Sequence, residues 1–309
     1  MNKIVIILSL GVCCLDASTT QNVHITHEWG YPNLEESEEF QNWGGDCDNG
    51  RQQSPIDINF NKVLKGIYPK LIFNGYNSIA GCNIVNNGHS IQLSSFPQEM
   101  EISGGPLLAS YIVEQIHFHW WSEHTLNNTR YPFEMHVVHR NKKYGNMTQA
   151  MKFKNGITVL GILYHYSNVG NPSIENVGKA LNDSGLFNLI NDPRKMNRLV
   201  SMKELIPQKI DSYITYEGSL TTPLCSEIVQ WIIPLTTFPV RMNEILPFRK
   251  IENDDGKVIT NNFREIQKTR NRPLIEISEN IVSSSTKNDG LVSSPLTFFV
   301  LVCFVIPCL

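Results

Sequence analysis

Apolar and polar positions alternate strictly over residues 115–120, with Ile116, Phe118 and Trp120 on one side and Gln115, His117 and His119 on the other. A period of two is that of a strand with one buried face. Residues 133–138 repeat the pattern: Phe133, Met135 and Val137 face one way, and Glu134, His136 and Val138 the other. The runs 112–120, 133–138, 159–166 and 228–233 are rich in β-branched and aromatic residues and predict strands. Turn signals punctuate them at Asn74-Gly75, Asn87-Gly88, Gly104-Gly105-Pro106 and Asn155-Gly156. Helical patterning is sparse; the best stretch is 176–190, interrupted by Gly178 and Gly185. No linker, repeat or low-complexity tract divides residues 18 to about 280. The expectation is a single, mainly β domain (α+β) around a large sheet.

Both ends of the chain carry a different pattern. Residues 1–17 place Lys3 before an apolar run and close on Asp16-Ala17, next to Ser18, which reads as a signal peptide. That run is shorter than the roughly 20 residues a bilayer span needs. At the other end a polar stretch opens at Ser283-Ser284-Ser285-Thr286, and residues 296–309 are then free of charge. Small residues, a polar spacer and a short apolar tail form a glycosylphosphatidylinositol attachment signal, with Ser284, Ser285 or Asn288 as attachment residue. A transmembrane helix would want a longer span and flanking basic residues, and a buried terminal strand would be unusually long. The domain is thus expected over 18–285, with 286–309 as a propeptide.

Composition then narrows the function classes. The chain has 309 residues and a net charge of −3, so it lacks the basic balance of a nucleic-acid binder. Fourteen Phe, ten Tyr and five Trp suffice for a sizeable core. Of seven cysteines, Cys13, Cys14, Cys303 and Cys308 lie in the two end segments, leaving Cys47, Cys82 and Cys225. In an oxidising compartment two of these three should pair. Three sequons, at Asn127, Asn146 and Asn182, fit the same secretory route.

The candidate chemistry sits on the two alternating strands. His117 and His119 point the same way, and an antiparallel neighbour would bring His136 to meet them. Three neutral nitrogen ligands with an open fourth position make a catalytic zinc site; closed structural sites are usually rich in thiolates. Gln115 and Glu134 lie two positions before His117 and His136 and on the same faces, where an acceptor would fix the ring tautomers. No His-Glu-x-x-His or Cys-x-x-Cys occurs.

The ordered series His117-Phe118-His119-Trp120, Ser122-Glu123-His124-Thr125 and Glu134-Met135-His136-Val137-Val138-His139 resembles the zinc core of an alpha-class carbonic anhydrase. Trp29-Gly30-Tyr31, Gln53-Ser54-Pro55-Ile56-Asp57-Ile58, Asn86-Asn87-Gly88-His89, Gly218-Ser219-Leu220-Thr221-Thr222-Pro223 and Asn262-Phe263-Arg264 extend the resemblance along nearly the whole chain. It implies a large twisted, mostly antiparallel sheet with short surface helices. It also implies Zn²⁺ on His117, His119 and His136, and reversible hydration of CO₂ to bicarbonate by zinc-bound hydroxide.

The same resemblance implies the remaining roles. Thr221 would donate its proton to Glu123 and orient the hydroxide, and Thr222 would seat bicarbonate. Val138, Val159, Leu220, Val229 and Trp231 would form an apolar CO₂ wall. His89 would shuttle protons, across water ordered by Tyr31, Asn87 and Gln92. His124 and His139 would serve structural hydrogen bonds.

A Cys47–Cys225 disulfide would brace the Thr221 loop, as in extracellular members of the family, with Cys82 left over. The extracellular, lipid-anchored type points to the outer face of the plasma membrane, with bicarbonate transporters as candidate partners. One departure stands out: Trp121 alone separates Trp120 from Ser122, where the family carries a longer loop. Two other readings are a catalytically silent binding or adhesion ectodomain, which would typically lack a zinc histidine, and a zinc esterase.

Overall fold

The alternating segments do extend, and their apolar faces define where the sheet is buried. In the computed structural model, which describes residues 29–31, 43–206 and 210–278, thirteen strands build one mixed sheet. In chain order they are β1 (Leu64–Gly66), β2 (Leu71–Asn74), β3 (Asn83–Asn86), β4 (Ile91–Ser94), β5 (Glu101–Gly104), β6 (Tyr111–Trp120) and β7 (Phe133–Asn141). There follow β8 (Ile157–Tyr166), β9 (Arg194–Lys195), β10 (Ser212–Gly218), β11 (Val229–Pro234), β12 (Phe238–Val240) and β13 (Ile275–Ser278). The spatial order is β9-β3-β4-β6-β7-β8-β11-β10-β13-β1, with β12 on β8, and β5 joining β2 to β6. Most pairings are antiparallel; β8–β11, β8–β12 and β13–β1 are parallel.

The two faces pack into different cores. Ile116, Phe118, Trp120, Phe133, Met135 and Val137 join the larger apolar cluster behind the sheet. Val138, Val159, Val229 and Trp231 join a second cluster on the opposite face, with Leu220 packed against it. The histidine-bearing face is therefore flanked by its own apolar wall.

The longest helix, α1, covers Pro172–Ser184 and not 176–190. It starts earlier because the Asn171 side chain accepts from the N–H groups of Ser173 and Ile174, with Pro172 in the first turn. It stops at Gly185, whose φ of 65° is the left-handed cap that glycine accommodates. The connection after β6 turns tightly at Trp121, with φ 65°, and its ring lies against the Arg249 guanidinium.

Cys47 and Cys225 form a disulfide. Cys82 is free and buried, and burial pushes its thiol up to about 11. With thiolate so disfavoured, Cys82 should resist a disulfide-exchange reagent at pH 8 in the folded protein and react only on denaturation. Absorbance of the released thiol chromophore before and after adding guanidinium checks this.

The expected signal segment 1–17, the propeptide 286–309 and the candidate attachment residues Ser284, Ser285 and Asn288 lie outside the described residues. Among the described residues no helix is long and apolar enough to cross a membrane. The sequon residues Asn127, Asn146 and Asn182 are all exposed.

Candidate metal centre and active site

Strands β6 and β7 run antiparallel with His136 opposite His117 and Glu134 opposite His119. That register brings three imidazoles to one point: His136 Nδ1 lies 3.1 Å from His117 Nε2 and 3.1 Å from His119 Nε2. The outer nitrogen of each ring is held by an oxygen. His117 Nδ1 is 2.9 Å from Gln115 Oε1, His119 Nδ1 is 2.6 Å from the Asn262 carbonyl, and His136 Nε2 is 2.8 Å from Glu134 Oε1. These oxygens only accept, so each outer nitrogen must carry the proton and each inner nitrogen must turn a lone pair inward. Burial, with the neighbouring imidazoles adding to it, holds His117 well below its usual range; burial also lowers His119. With the outer protons held in this way, neutral rings would present three lone pairs to one another. Such an arrangement repels itself unless a cation sits between them, and three nitrogen donors suit Zn²⁺ with one open position.

Glu134 is the fixed point beneath the three imidazoles. Its Oε1 also accepts from His124 Nδ1 at 2.8 Å, and its Oε2 accepts from the His124 backbone N–H at 2.8 Å. Because His124 donates through Nδ1, its Nε2 accepts from the Tyr216 hydroxyl at 2.7 Å, which in turn meets Ser54 Oγ at 2.9 Å. Burial would raise the Glu134 carboxyl; His124 and His136 outweigh it and hold the group well below the usual carboxylate range. Opposite His136 stands Gly161, where a Cβ would come within 2.7 Å of Ile233 Cδ1 and 3.0 Å of Glu134 Oε1. A larger residue there would crowd the carboxylate.

The apolar wall follows from strand register. Val138 pairs with Val159, and Val159 with Trp231, so three adjacent strands line up one surface, with Val229 two positions before Trp231. The Trp231 ring lies 4.9 Å from that of His136 and 4.7 Å from that of His124. Its indole N–H donates to the Ser219 carbonyl, which fixes the ring at the root of the loop carrying Leu220, Thr221 and Thr222.

That loop is tied at several points. The Leu220 N–H donates to the Ser226 carbonyl and the Cys225 N–H to the Thr222 carbonyl. Arg264 donates to the Cys47 carbonyl through Nη2 and to Gln53 Oε1 through Nη1, while its backbone N–H donates to Glu123 Oε1 at 3.0 Å. Glu123 Oε2 is buried without a hydrogen-bond partner, 3.6 Å from His119 Nε2 and 3.9 Å from His136 Nδ1. The expected bond from the Thr221 hydroxyl to Glu123 is thus not formed here, although Thr221 is buried in the same loop. The carboxylate instead turns its free oxygen toward the convergent imidazoles.

His89 sits after the Asn87-Gly88 turn and stacks on Trp29 at 3.7 Å between ring centres. Asn87 Oδ1 is taken up by the N–H groups of His89 and Ser90, so it shapes the turn. Burial lowers His89 below its usual value, and Asp254 works against that. Gln92 pairs with His117 across β4 and β6, on the metal face. The Tyr31 hydroxyl is raised by burial and by the nearby Glu123. His139 is buried on the far side and meets the Tyr76 hydroxyl at 2.5 Å.

Sequence reasoning missed the part played by Asn262, whose carbonyl holds His119 while its side chain accepts from the Trp120 N–H and donates to the Phe118 carbonyl. The side chain two positions before His119 on its own face is His117, itself one of the converging imidazoles, and the acceptor is a backbone oxygen 143 residues away. The Arg264 backbone hold on Glu123 was equally invisible.

Comparison with known proteins gives one answer. The model of the eukaryotic-type carbonic anhydrase family matches residues 36–278. Bovine carbonic anhydrase 6 is 31% identical over 265 residues, covering 80% of this chain and 79% of its own. Mouse carbonic anhydrase 1 is 32% identical over 241 residues, covering 73% and 89%. This chain belongs to the eukaryotic-type carbonic anhydrase family.

Proposed function

We propose that the protein catalyses the reversible hydration of CO₂ to bicarbonate and a proton, with Zn²⁺ held by His117, His119 and His136. The observation that carries the reading is the pinned tautomer set: every outer imidazole nitrogen has an acceptor, leaving three lone pairs aimed at one point. When bound there, Zn²⁺ acidifies water to hydroxide near neutral pH, a chemistry for which carbonic anhydrases are the reference example.

The chain's own residues supply the rest. CO₂ carries no charge to grip, so Val138, Val159, Leu220, Val229 and Trp231 hold it by excluding water from one side of the centre. As a carboxylate Glu123 can only accept; its free Oε2 would accept a hydrogen bond from the Thr221 hydroxyl, so that Thr221 offers only a lone pair to the attacking oxygen. Thr222 seats the product. His89 carries the released proton outward across water held by Tyr31, Asn87 and Gln92.

CO₂ hydration by the purified protein, followed by stopped-flow pH indicator with and without a zinc chelator, tests the reading. Activity should vanish with the metal and return on adding Zn²⁺; an unchanged rate in metal-free protein would overturn it. His89→Ala should lower maximal turnover several-fold in weak buffer, and added imidazole should restore it. Turnover insensitive to both the substitution and the buffer would remove His89 from the proton path.

The N-terminal and C-terminal patterns support a secreted protein held at the outer face of the plasma membrane by a lipid anchor. Release from cells by phosphatidylinositol-specific phospholipase C tests the anchor, and retention would favour a transmembrane tail.

A further inference from the structure

Strand register fixes where the chain leaves the domain. β13 pairs antiparallel with β10, with Ser278 opposite Ser212 and Ile275 opposite Thr215. Gly218, at the other end of β10, leads into the Leu220–Thr222 loop. Ser212 and Gly218 are six steps apart, about 20 Å of strand. The chain therefore exits at the sheet end opposite the Thr221 loop and the beginnings of β8 and β11, where Val159 and Val229 lie.

That exit is flanked by apolar side chains that no described residue covers. β1 is the last strand of the sheet and runs parallel to β13, with Gly66 opposite Ile277, so Ile67 and Tyr68 follow directly beside Ser278. Ile67 is 62% exposed and Tyr68 37%. β8 points the same way as β13, since β8 is parallel to β11, and both β11 and β13 are antiparallel to β10. Its last residue, Tyr166, is exposed, as are Val169 just beyond it and Met242 after β12.

We propose that this end of the sheet, centred on Ile67 and Tyr68, rests on the lipid surface to which the chain is anchored, with the active-site mouth turned away. The inference rests on the lipid-anchor reading given above. If Ser284 is the attachment residue, only residues 279–284 connect Ser278 to lipid, at most about 20 Å fully extended. The surface at the root of so short a tether is the first to meet the bilayer. An aliphatic side chain beside an amphipathic tyrosine suits the headgroup boundary.

The test uses the full-length protein anchored in cells and transferred to phosphatidylcholine vesicles. A polarity-sensitive fluorophore is attached to Ile67→Cys or to Lys154→Cys. Lys154 lies just before β8 at the opposite end of the sheet and pairs with the exposed Glu217, and the buried Cys82 does not compete for label. The label at 67 should shift to the blue and lose most of its emission to headgroup-region spin-labelled lipid. The label at 154 should do neither, and phospholipase release should reverse the effect at 67. If phospholipase releases the protein but neither label senses lipid, the anchor stands and the docking surface is overturned. Energy transfer between labels at 67 on two chains, without lipid quenching, would give the edge to a second copy and also overturn it. Retention after phospholipase removes the anchor reading, and the inference with it.

Discussion

Replacing His136 with alanine should abolish zinc binding and reduce CO₂ hydration to the buffer background. His136 is central to the proposed centre: its Nδ1 is 3.1 Å from both other inner nitrogens, so its loss leaves two donors where four-coordinate zinc sites need at least three from the protein. The substitution also takes one of two imidazole donors from the buried Glu134 carboxylate. Losing a hydrogen bond to a buried charged group costs roughly 1.5–3 kcal/mol, so a lower melting temperature should accompany the lost metal. His117→Ala separates the two effects. His117 is the most exposed of the three rings and hydrogen-bonds outward only to Gln115, so this variant should lose zinc and activity with a much smaller change in melting temperature. Metal content by inductively coupled plasma mass spectrometry, read beside calorimetry and stopped-flow hydration, checks both variants. Full activity in either would exclude that residue as a ligand.

Much of this centre is legible along the chain because strand chemistry is local. A period of two put His117 and His119 on one face, and placed Gln115 and Glu134 as neighbours of the rings they hold. The apolar wall was legible only through family resemblance, since Val138, Val159 and Trp231 become adjacent through the pairing of three strands. Register itself carries no side-chain signal. His136 meets His117 in a ladder that slips at Val138 and His139, where Gln115 and Val113 are the partners and Glu114 is extra. Groups recruited from far along the chain are hidden for the same reason: the Asn262 carbonyl and the Arg264 N–H are backbone atoms, identical in every residue. The helix was misplaced because its start is set by the Asn171 cap and Pro172, outside the apolar periodicity that located it. The Thr221 loop was found by its motif, yet the hydroxyl bond to Glu123 that the resemblance implies is not formed, because a hydroxyl rotor answers to its immediate partners and not to the chain.

Glu134→Gln should weaken zinc binding by about 10–100-fold, the usual cost of losing the group that orients a metal-bound imidazole. The substitution keeps the shape and changes only the donor inventory. Glu134 accepts three hydrogen bonds: two at Oε1, from His136 Nε2–H and His124 Nδ1–H, and one at Oε2, from the His124 backbone N–H. A glutamine cannot serve all three. With its oxygen toward the imidazoles, its NH₂ meets the His124 backbone N–H, two donors face to face in a buried site, at a cost of about 1–3 kcal/mol. Turned the other way, its NH₂ forces His136 Nε2 to accept, which moves the ring proton to Nδ1 and directs it where the metal must bind. The second arrangement satisfies every local hydrogen bond and destroys the ligand, so the tautomer decides the outcome. A ¹⁵N spectrum of the His136 ring in metal-free protein reports which nitrogen carries the proton. It should show Nε2–H in the native chain and a shift toward Nδ1–H in the variant, alongside the weaker binding in a competitive chelator titration. Native affinity with an unchanged tautomer would show that Glu134 fills space beneath the centre without governing it.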